Sequence, residues 1–241
     1  MGRETAIEFV FLCANSVFSV SLWLTLPFLI IHHRGTENTE GAQRKARRFI
    51  DEAMEDVIQK FKATGALLEG HFLLTSGLHS SLYLQCALVL QHPREAEELG
   101  RRIAEHFTDK NIQVVASPAI GGLIIGHEVA RALGARFIWT ERQDGKMTLR
   151  RGFSVSPSER TLVVEDVVTT GGSTRETIEA LRDAGADVVG AASIIDRSSG
   201  RVDVGAPRIA LATLNVPAVE AADCEACARG EAPVKPGSRK Q

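Results

Sequence analysis

The sequence predicts an α/β fold: a mostly parallel central sheet flanked by helices. Two observations carry this prediction. From residue 112 onward, short apolar and β-branched runs alternate with stretches of helical period, the pattern of βαβ units with right-handed crossovers. One of these runs, Leu162-Val163-Val164, continues into Glu165-Asp166-Val167-Val168, then the small turn Thr169-Thr170-Gly171-Gly172-Ser173 and a new helical stretch. A buried strand that ends in two carboxylates and a bulk-free turn ends in chemistry rather than in solvent. The 241 residues suffice for one such domain with a sizeable core.

Residues 1–53 do not share this pattern. Phe9 to Ile31 is an uncharged, mostly apolar run, long enough to span a bilayer by the criterion of roughly 20 residues. Three readings compete. As a membrane anchor, the run leaves the basic group Arg44, Lys45, Arg47 and Arg48 on the cytoplasmic side. As a secretory signal it is overlong, and Arg3 is offset by Glu4 and Glu8. In the third reading translation begins at Met54, and 1–53 is an extension foreign to a domain at 54–241. Met54-Glu55-Asp56-Val57-Ile58 opens an amphipathic helix, which favours the third.

That helix carries Val57, Ile58 and Phe61 on one face and closes at Thr64-Gly65. Two apolar runs then flank Ser76-Gly77, as in a hairpin, and His71 and His79 read as surface residues of it. Pro93 starts a helix to about Phe107, with Ala96, Leu99, Ile103 and Phe107 inward. Strand 112–116, turn 117–122 and helix 123–133, stopped by Gly134, come next. Strand 136–140 leads into a polar stretch, 141–152. Strand 161–167, helix 173–184, strand 187–195 and a last strand, 208–214, complete the core. In open parallel sheets ligands bind beyond the carboxyl ends of the strands. Pro118 to Gly122, Glu141 to Lys146, Glu165 to Ser173 and Arg197 all fall at such ends.

Composition narrows the chemistry. A net charge of −2 gives no basic face for nucleic acid, and aromatics are too few for a base-stacking platform. The four cysteines suggest no disulfide framework and point to a reducing, cytoplasmic compartment. Cys224-x-x-Cys227 has no second ligand pair in view, so it reads as reduced surface thiols rather than a metal site. No Walker loop and no Gly-x-Gly-x-x-Gly fingerprint is present. Gly121-Gly122 is either a backbone anion nest or a site of close helix–strand packing. The turn from Thr169 to Ser173 can converge its N–H groups on an anion, or its Asp and Thr neighbours can simply cap the helix. Next to the two carboxylates the first option fits a ligand with a phosphate at one end and a diol at the other. Arg142, Lys146, Arg150 and Arg151 in the polar stretch could act as lid cations.

The stretch from Leu162 to Thr174 resembles the phosphoribosyl-pyrophosphate motif of the type I phosphoribosyltransferases. The orotate branch of that family is the closer likeness. It rests on Gly70-His71-Phe72-Leu73-Leu74-Thr75-Ser76-Gly77 through Tyr83-Leu84-Gln85-Cys86, on Ser117-Pro118-Ala119-Ile120-Gly121-Gly122, on Thr140-Glu141-Arg142 and on Ile195-Asp196-Arg197. It covers about Met54 to Ser238. The resemblance implies the type I fold with a small N-terminal hood, and Mg²⁺-dependent transfer of ribose 5-phosphate from phosphoribosyl pyrophosphate to orotate. It further implies that Glu165 and Asp166 hold the ribose hydroxyls, that Thr169, Thr170, Gly171, Gly172 and Ser173 bind the 5′-phosphate, and that Val167 and Val168 belong to the same phosphoribosyl-pyrophosphate site. Thr169 and Arg197 would meet orotate. Arg142 and the catalytic Lys146 would act from the lid, and a homodimer is expected, with the metal held mainly by substrate.

Departures at four positions stand out. Many relatives have lysine where Gly121 stands, lysine at Gln143 and histidine near Thr148; Thr75 also replaces a lysine of some. With fewer cations, Lys146 carries more of the lid's task. Two other readings share the fold: a purine phosphoribosyltransferase, whose substrate gives Arg197 no carboxylate, and a sugar-phosphate-sensing regulator, which the near-neutral charge disfavours. A membrane-tethered scaffold rests on residues 9–31 alone.

Overall fold

Leu162, Val163 and Val164 lie in the middle of a six-stranded sheet, and all three are fully buried. The computed structural model describes residues 39–74, 77–216 and 218–236. In chain order its elements are α1 (Thr39–Ala63), β1 (Leu67–Leu73), β2 (His79–Leu84), α2 (Ala87–Leu90), α3 (Pro93–Glu105), β3 (Val114–Pro118), α4 (Leu123–Leu133), β4 (Arg136–Gln143) and β5 (Lys146–Leu149). β6 (Arg160–Val168), α5 (Gly172–Asp183), β7 (Asp187–Asp196), β8 (Arg208–Thr213), β9 (Ala218–Val219) and α6 (Glu225–Ala228) follow.

The large sheet has the order β5-β4-β3-β6-β7-β8. Its pairs are parallel except β4 with β5. The order reverses between β3 and β6, and such a switch point leaves a crevice at the strands' carboxyl ends. The two-residue period of a strand divides the core in two. Leu162 and Val164 pack with Val115, Leu99, Ile103 and Ile125 on the side of α1, α3 and α4. Val163 packs with Val114, Ala116, Ile138, Ile178 and Leu181 on the side of α5. Truncating Leu162 to Ala would cost about 2–5 kcal/mol.

The hood is a three-stranded sheet of order β1-β2-β9, so both halves of the chain build it. Strand β9, only two residues long, has no period to read and was not expected from the sequence. Phe72 further bridges to Val234. Ser76 and Thr75 lie outside the described residues, as does the apolar run 9–31. Among the described residues no helix is long and apolar enough to cross a membrane. Helix α1 begins at Thr39 rather than Met54; its Arg44–Phe49 side chains are exposed, and from Arg44 onward Val57 is the first that is buried.

The polar stretch is a hairpin rather than an open loop. β4 runs to Gln143 and pairs antiparallel with β5 through Asp144-Gly145. Both turn residues have positive φ, 50° and 82°, which suits the two-residue hairpin turn for which Asp-Gly is favoured.

Candidate active site

Two loops flank the switch point. β3 ends at Pro118, and the chain passes through Ala119–Gly122, with a cis Ala119–Ile120 peptide, into α4. A Cβ on Gly122 would come within 2.9 Å of the Val164 carbonyl oxygen, and Gly126 abuts the Ser117 side chain. Close helix–strand packing therefore accounts for Gly122 and Gly126.

The second loop follows β6. Val168 is buried, while Thr169 and Thr170 are exposed. Gly171 has φ +70°, and a Cβ there would reach within 2.5 Å of Val202 and 2.9 Å of Val204, so only glycine fits. The cap of α5 makes no side-chain hydrogen bond. The capping alternative for this turn thus fails: neither Asp166 nor a threonine is spent on the helix end. Gly172 and Ser173 open the helix, where backbone N–H groups and the helix dipole favour an anion.

Glu165 and Asp166 project to opposite faces of β6, as consecutive strand residues must. Glu165 accepts a hydrogen bond from the Thr174 hydroxyl of α5. Its pKa is raised to about 7, chiefly by burial and in smaller part by the Asp166 charge, against the lowering effect of the Thr174 bond. Asp166 accepts from the Val167 N–H at 2.9 Å and lies beside Gly121. Burial also raises its pKa, again against that backbone bond. On the same side Cys86 is buried, and burial, then the Asp166 charge, pushes its thiol well above the ordinary range.

The end of β7 supplies an arginine on a braced loop. Asp196, 2 % exposed, accepts from the N–H and hydroxyl of Ser198 (2.7 and 2.6 Å), the Gly200 N–H (2.8 Å) and Arg208 Nη1 (3.0 Å). Burial opposes its ionisation, but these bonds outweigh it and hold the carboxyl below its ordinary value. Asp196 is therefore committed to fixing the turn, and the neighbouring Arg197 side chain takes no part in that bracing. The Arg197 N–H donates to the Val168 carbonyl at 2.8 Å, tying it to the end of β6. Its Nε is buried with no hydrogen-bond acceptor among the described residues, and burial lowers its pKa.

The hairpin divides its cations. Glu141 binds Arg151 at 2.5 Å, Arg150 at 3.4 Å and the Trp139 Nε1–H at 3.0 Å. The guanidinium of Arg151, then the indole, hold the Glu141 carboxyl below its usual range. Arg142 pairs with Glu176 at 2.9 Å. Lys146 is exposed and has no ion-pair partner among the described residues. So Arg150 and Arg151, expected as lid cations, share the single carboxylate of Glu141, which offsets one of their two charges, chiefly that of Arg151, a pairing that spacing alone did not reveal. A cavity of about 430 Å³ lies between loop and hairpin, lined by Ala119, Ile120, Leu123, Trp139, Glu141, Arg142 and Arg151.

One expectation is corrected. His71, His79 and Cys224 are buried, not surface residues, and they converge with Cys227. The two histidines beside Cys224-x-x-Cys227 come from the hood hairpin, a proximity the sequence did not show.

Residues 87–222 match the phosphoribosyl transferase domain family. Over 186 residues the chain is 54% identical to the orotate phosphoribosyltransferase of Pelotomaculum thermopropionicum, covering 77% of this chain and 98% of that one. It is 53% identical over 184 residues to the enzyme of that name from Caldicellulosiruptor bescii, covering 76% and 97%. Among solved structures, the orotate phosphoribosyltransferase of Aeropyrum pernix superposes with a TM-score of 0.53 at 28% identity, covering 65% of this chain and 92% of that one.

Proposed function

The chain belongs to the phosphoribosyl transferase family, in its orotate branch, and from this premise we propose how its residues transfer ribose 5-phosphate from phosphoribosyl pyrophosphate to orotate. The bond from ribose C1 to the pyrophosphate oxygen breaks, a bond from C1 to a ring nitrogen of orotate forms, and the proton of that nitrogen passes to the pyrophosphate or to solvent. The products are orotidine 5′-monophosphate and pyrophosphate. The transition state is oxocarbenium-like, so catalysis is chiefly the placement of charge.

The turn Thr169–Ser173 binds the 5′-phosphate through backbone N–H groups and the dipole of α5. Asp166 and Glu165 hold the ribose hydroxyls and favour positive charge at C1. The loop at Gly121 and the hairpin residues Arg142 and Lys146 receive the leaving pyrophosphate. Arg197, with Thr169, binds orotate. The observation that carries this reading is the buried Arg197 Nε, tied to the end of β6 and without an acceptor among the described residues. A carboxylate on the acceptor base supplies an anionic one in bidentate form; a purine offers ring acceptors but no anion.

The oxygen donors fit Mg²⁺, a hard cation bound through one or two carboxylates and substrate phosphates. Asp166 would hold it together with the substrate's own oxygens, and when bound it neutralises charge on the pyrophosphate. A homodimer belongs to the same proposal: Ile120, 83% exposed, and Ile124, 45% exposed, leave apolar surface beside the loop that a second copy can cover.

The test incubates the chain with orotate, phosphoribosyl pyrophosphate and Mg²⁺ and follows the loss of orotate absorbance. Turnover that stops when Mg²⁺ is withheld is expected. Turnover with adenine or hypoxanthine and none with orotate would replace the orotate reading by the purine one.

A further inference from the structure

We propose that His71, His79, Cys224 and Cys227 form a structural zinc site that fastens the C-terminal segment to the hood. The four ligand atoms lie within 4.8 Å of one another. Cys224 Sγ is 3.4 Å from His71 Nε2, and Cys227 Sγ is 3.6 Å from His71 Nε2 and 3.3 Å from His79 Nδ1. Zinc bonds of about 2.3 Å to sulfur and 2.0–2.1 Å to nitrogen give tetrahedron edges of roughly 3.3–3.8 Å, and these separations fall in that range. His71 Nε2 and His79 Nδ1 are closer, at 2.7 Å; they must part by about half an ångström to share a metal.

The surroundings suit the assignment. Among the described residues this is the one group of three or more such side chains that converges. Its composition, two thiolates and two imidazoles, is that of closed four-coordinate zinc sites. The Cys-x-x-Cys pair sits at the start of α6, with Cys224 as its cap residue, so one short turn presents both sulfurs. The register slip between Glu69 and Phe72 allows His71 and Phe72, neighbours in β1, both to be buried, and such bulges re-aim a side chain. His71 Nδ1 is 2.9 Å from the Glu231 carbonyl oxygen. That oxygen can only accept, so Nδ1 carries the proton and Nε2 offers its lone pair to the cluster, the outer hydrogen bond usual for ligating histidines.

The ligands come from three places: β1, β2 and the segment after β9. The same segment is held to β1 by the Val234 N–H to the His71 carbonyl and the Leu73 N–H to the Val234 carbonyl, at 2.8 and 2.9 Å. The metal would thus close a loop between residues 153 positions apart. Metal binding of this kind is also folding free energy.

The full chain, purified without chelators, should carry about one zinc per chain by elemental analysis. Cobalt(II) added to metal-stripped wild type should give the visible bands and thiolate charge-transfer absorption of a tetrahedral site, and zinc should bleach them. Cys227→Ser and His71→Ala should lower metal content at least tenfold. Chelation should lower the Tm of wild type, with zinc restoring it, and should leave the Tm of Cys227→Ser unchanged. The cobalt titration needs no variant, so a misfolded mutant does not protect the proposal. Metal-free protein that gives no cobalt spectrum and no zinc-dependent Tm would overturn it. So would a Cys224–Cys227 disulfide in protein kept under reductant. Orotate turnover plays no part in these readouts, so their failure and failure of the catalytic reading are separable.

Discussion

Gly121 lies against the carboxylate of Asp166: a Cβ built on Gly121 would come within 2.8 Å of Asp166 Oδ1 and 3.0 Å of Oδ2. The pyrophosphate loop and the ribose-binding carboxylate of the proposed mechanism therefore share one small volume. Gly121→Ala can be accommodated only if Asp166 turns away. Since a side chain rather than backbone must yield, stability should hardly change, whereas kcat/KM should fall roughly tenfold, the scale of about 1.4 kcal/mol in positioning. Thermal melts and steady-state kinetics on the same preparation check both halves. An equally active variant would separate Gly121 from the function of Asp166.

Glu165 should make stability depend on pH. Below its ordinary value of 4.5 the carboxyl is protonated in both the folded and the unfolded chain. As pH rises from 4.5 to about 7, the unfolded chain gives up this proton first. The folded state is then progressively disfavoured, by up to about 3 kcal/mol above pH 7. Glu165→Gln removes the ionisation. The Tm of wild type relative to this variant should therefore fall between pH 5 and pH 8 in ligand-free protein. A gap that stays constant across that interval would contradict the assignment.

The lid cations should not be equivalent. Lys146→Ala should lose at least ~100-fold in turnover, the scale of one transition-state contact. Arg151→Ala, whose charge Glu141 already neutralises, should change turnover by less than about threefold, as expected of an exposed ion pair. Similar losses in the two variants would mean that Glu141 releases Arg151 when substrate binds.

Arg197→Ala should lower kcat/KM for orotate by at least about 30-fold, because it strips the partner from a desolvated carboxylate. Arg197→Lys should recover little, since an ammonium cannot reproduce the two-pronged guanidinium contact. The KM for phosphoribosyl pyrophosphate should move much less. Equal effects on both substrates would argue that Arg197 merely supports the loop.

Much of this arrangement was legible in the sequence. The parallel sheet follows from runs such as Leu162–Val164, whose burial on both faces demands unbroken apolar character. The strand ends then gather the loops at Gly121, Thr169 and Arg197, since connections in such sheets are short and of one hand. The opposite projection of Glu165 and Asp166 was also available from the two-residue period, although the residues read more naturally as a side-by-side pair. Other features depend on tertiary contact and left no local trace. The capture of Arg151 by Glu141 needs the hairpin to close. The meeting of His71 with Cys224 needs the chain to return across 153 positions, and no spacing rule reaches that far. Strand β9 exists because β2 offers it an edge, not because two residues have a propensity.

The switch point between β3 and β6 also acts as a ruler. Neighbouring strands stand about 4.8 Å apart, so loops carried on β3, β6 and β7 are spaced across roughly 10 Å by backbone hydrogen bonding rather than by side-chain choice. In the proposed mechanism pyrophosphate, ribose phosphate and acceptor base thus take adjacent lanes of fixed width. Substitutions within a lane can retune which base is accepted, but the distance between the lanes cannot be altered without unpairing the sheet. On this view the exchange of one acceptor base for another is the accessible route of change for this scaffold, and a donor of different length is not.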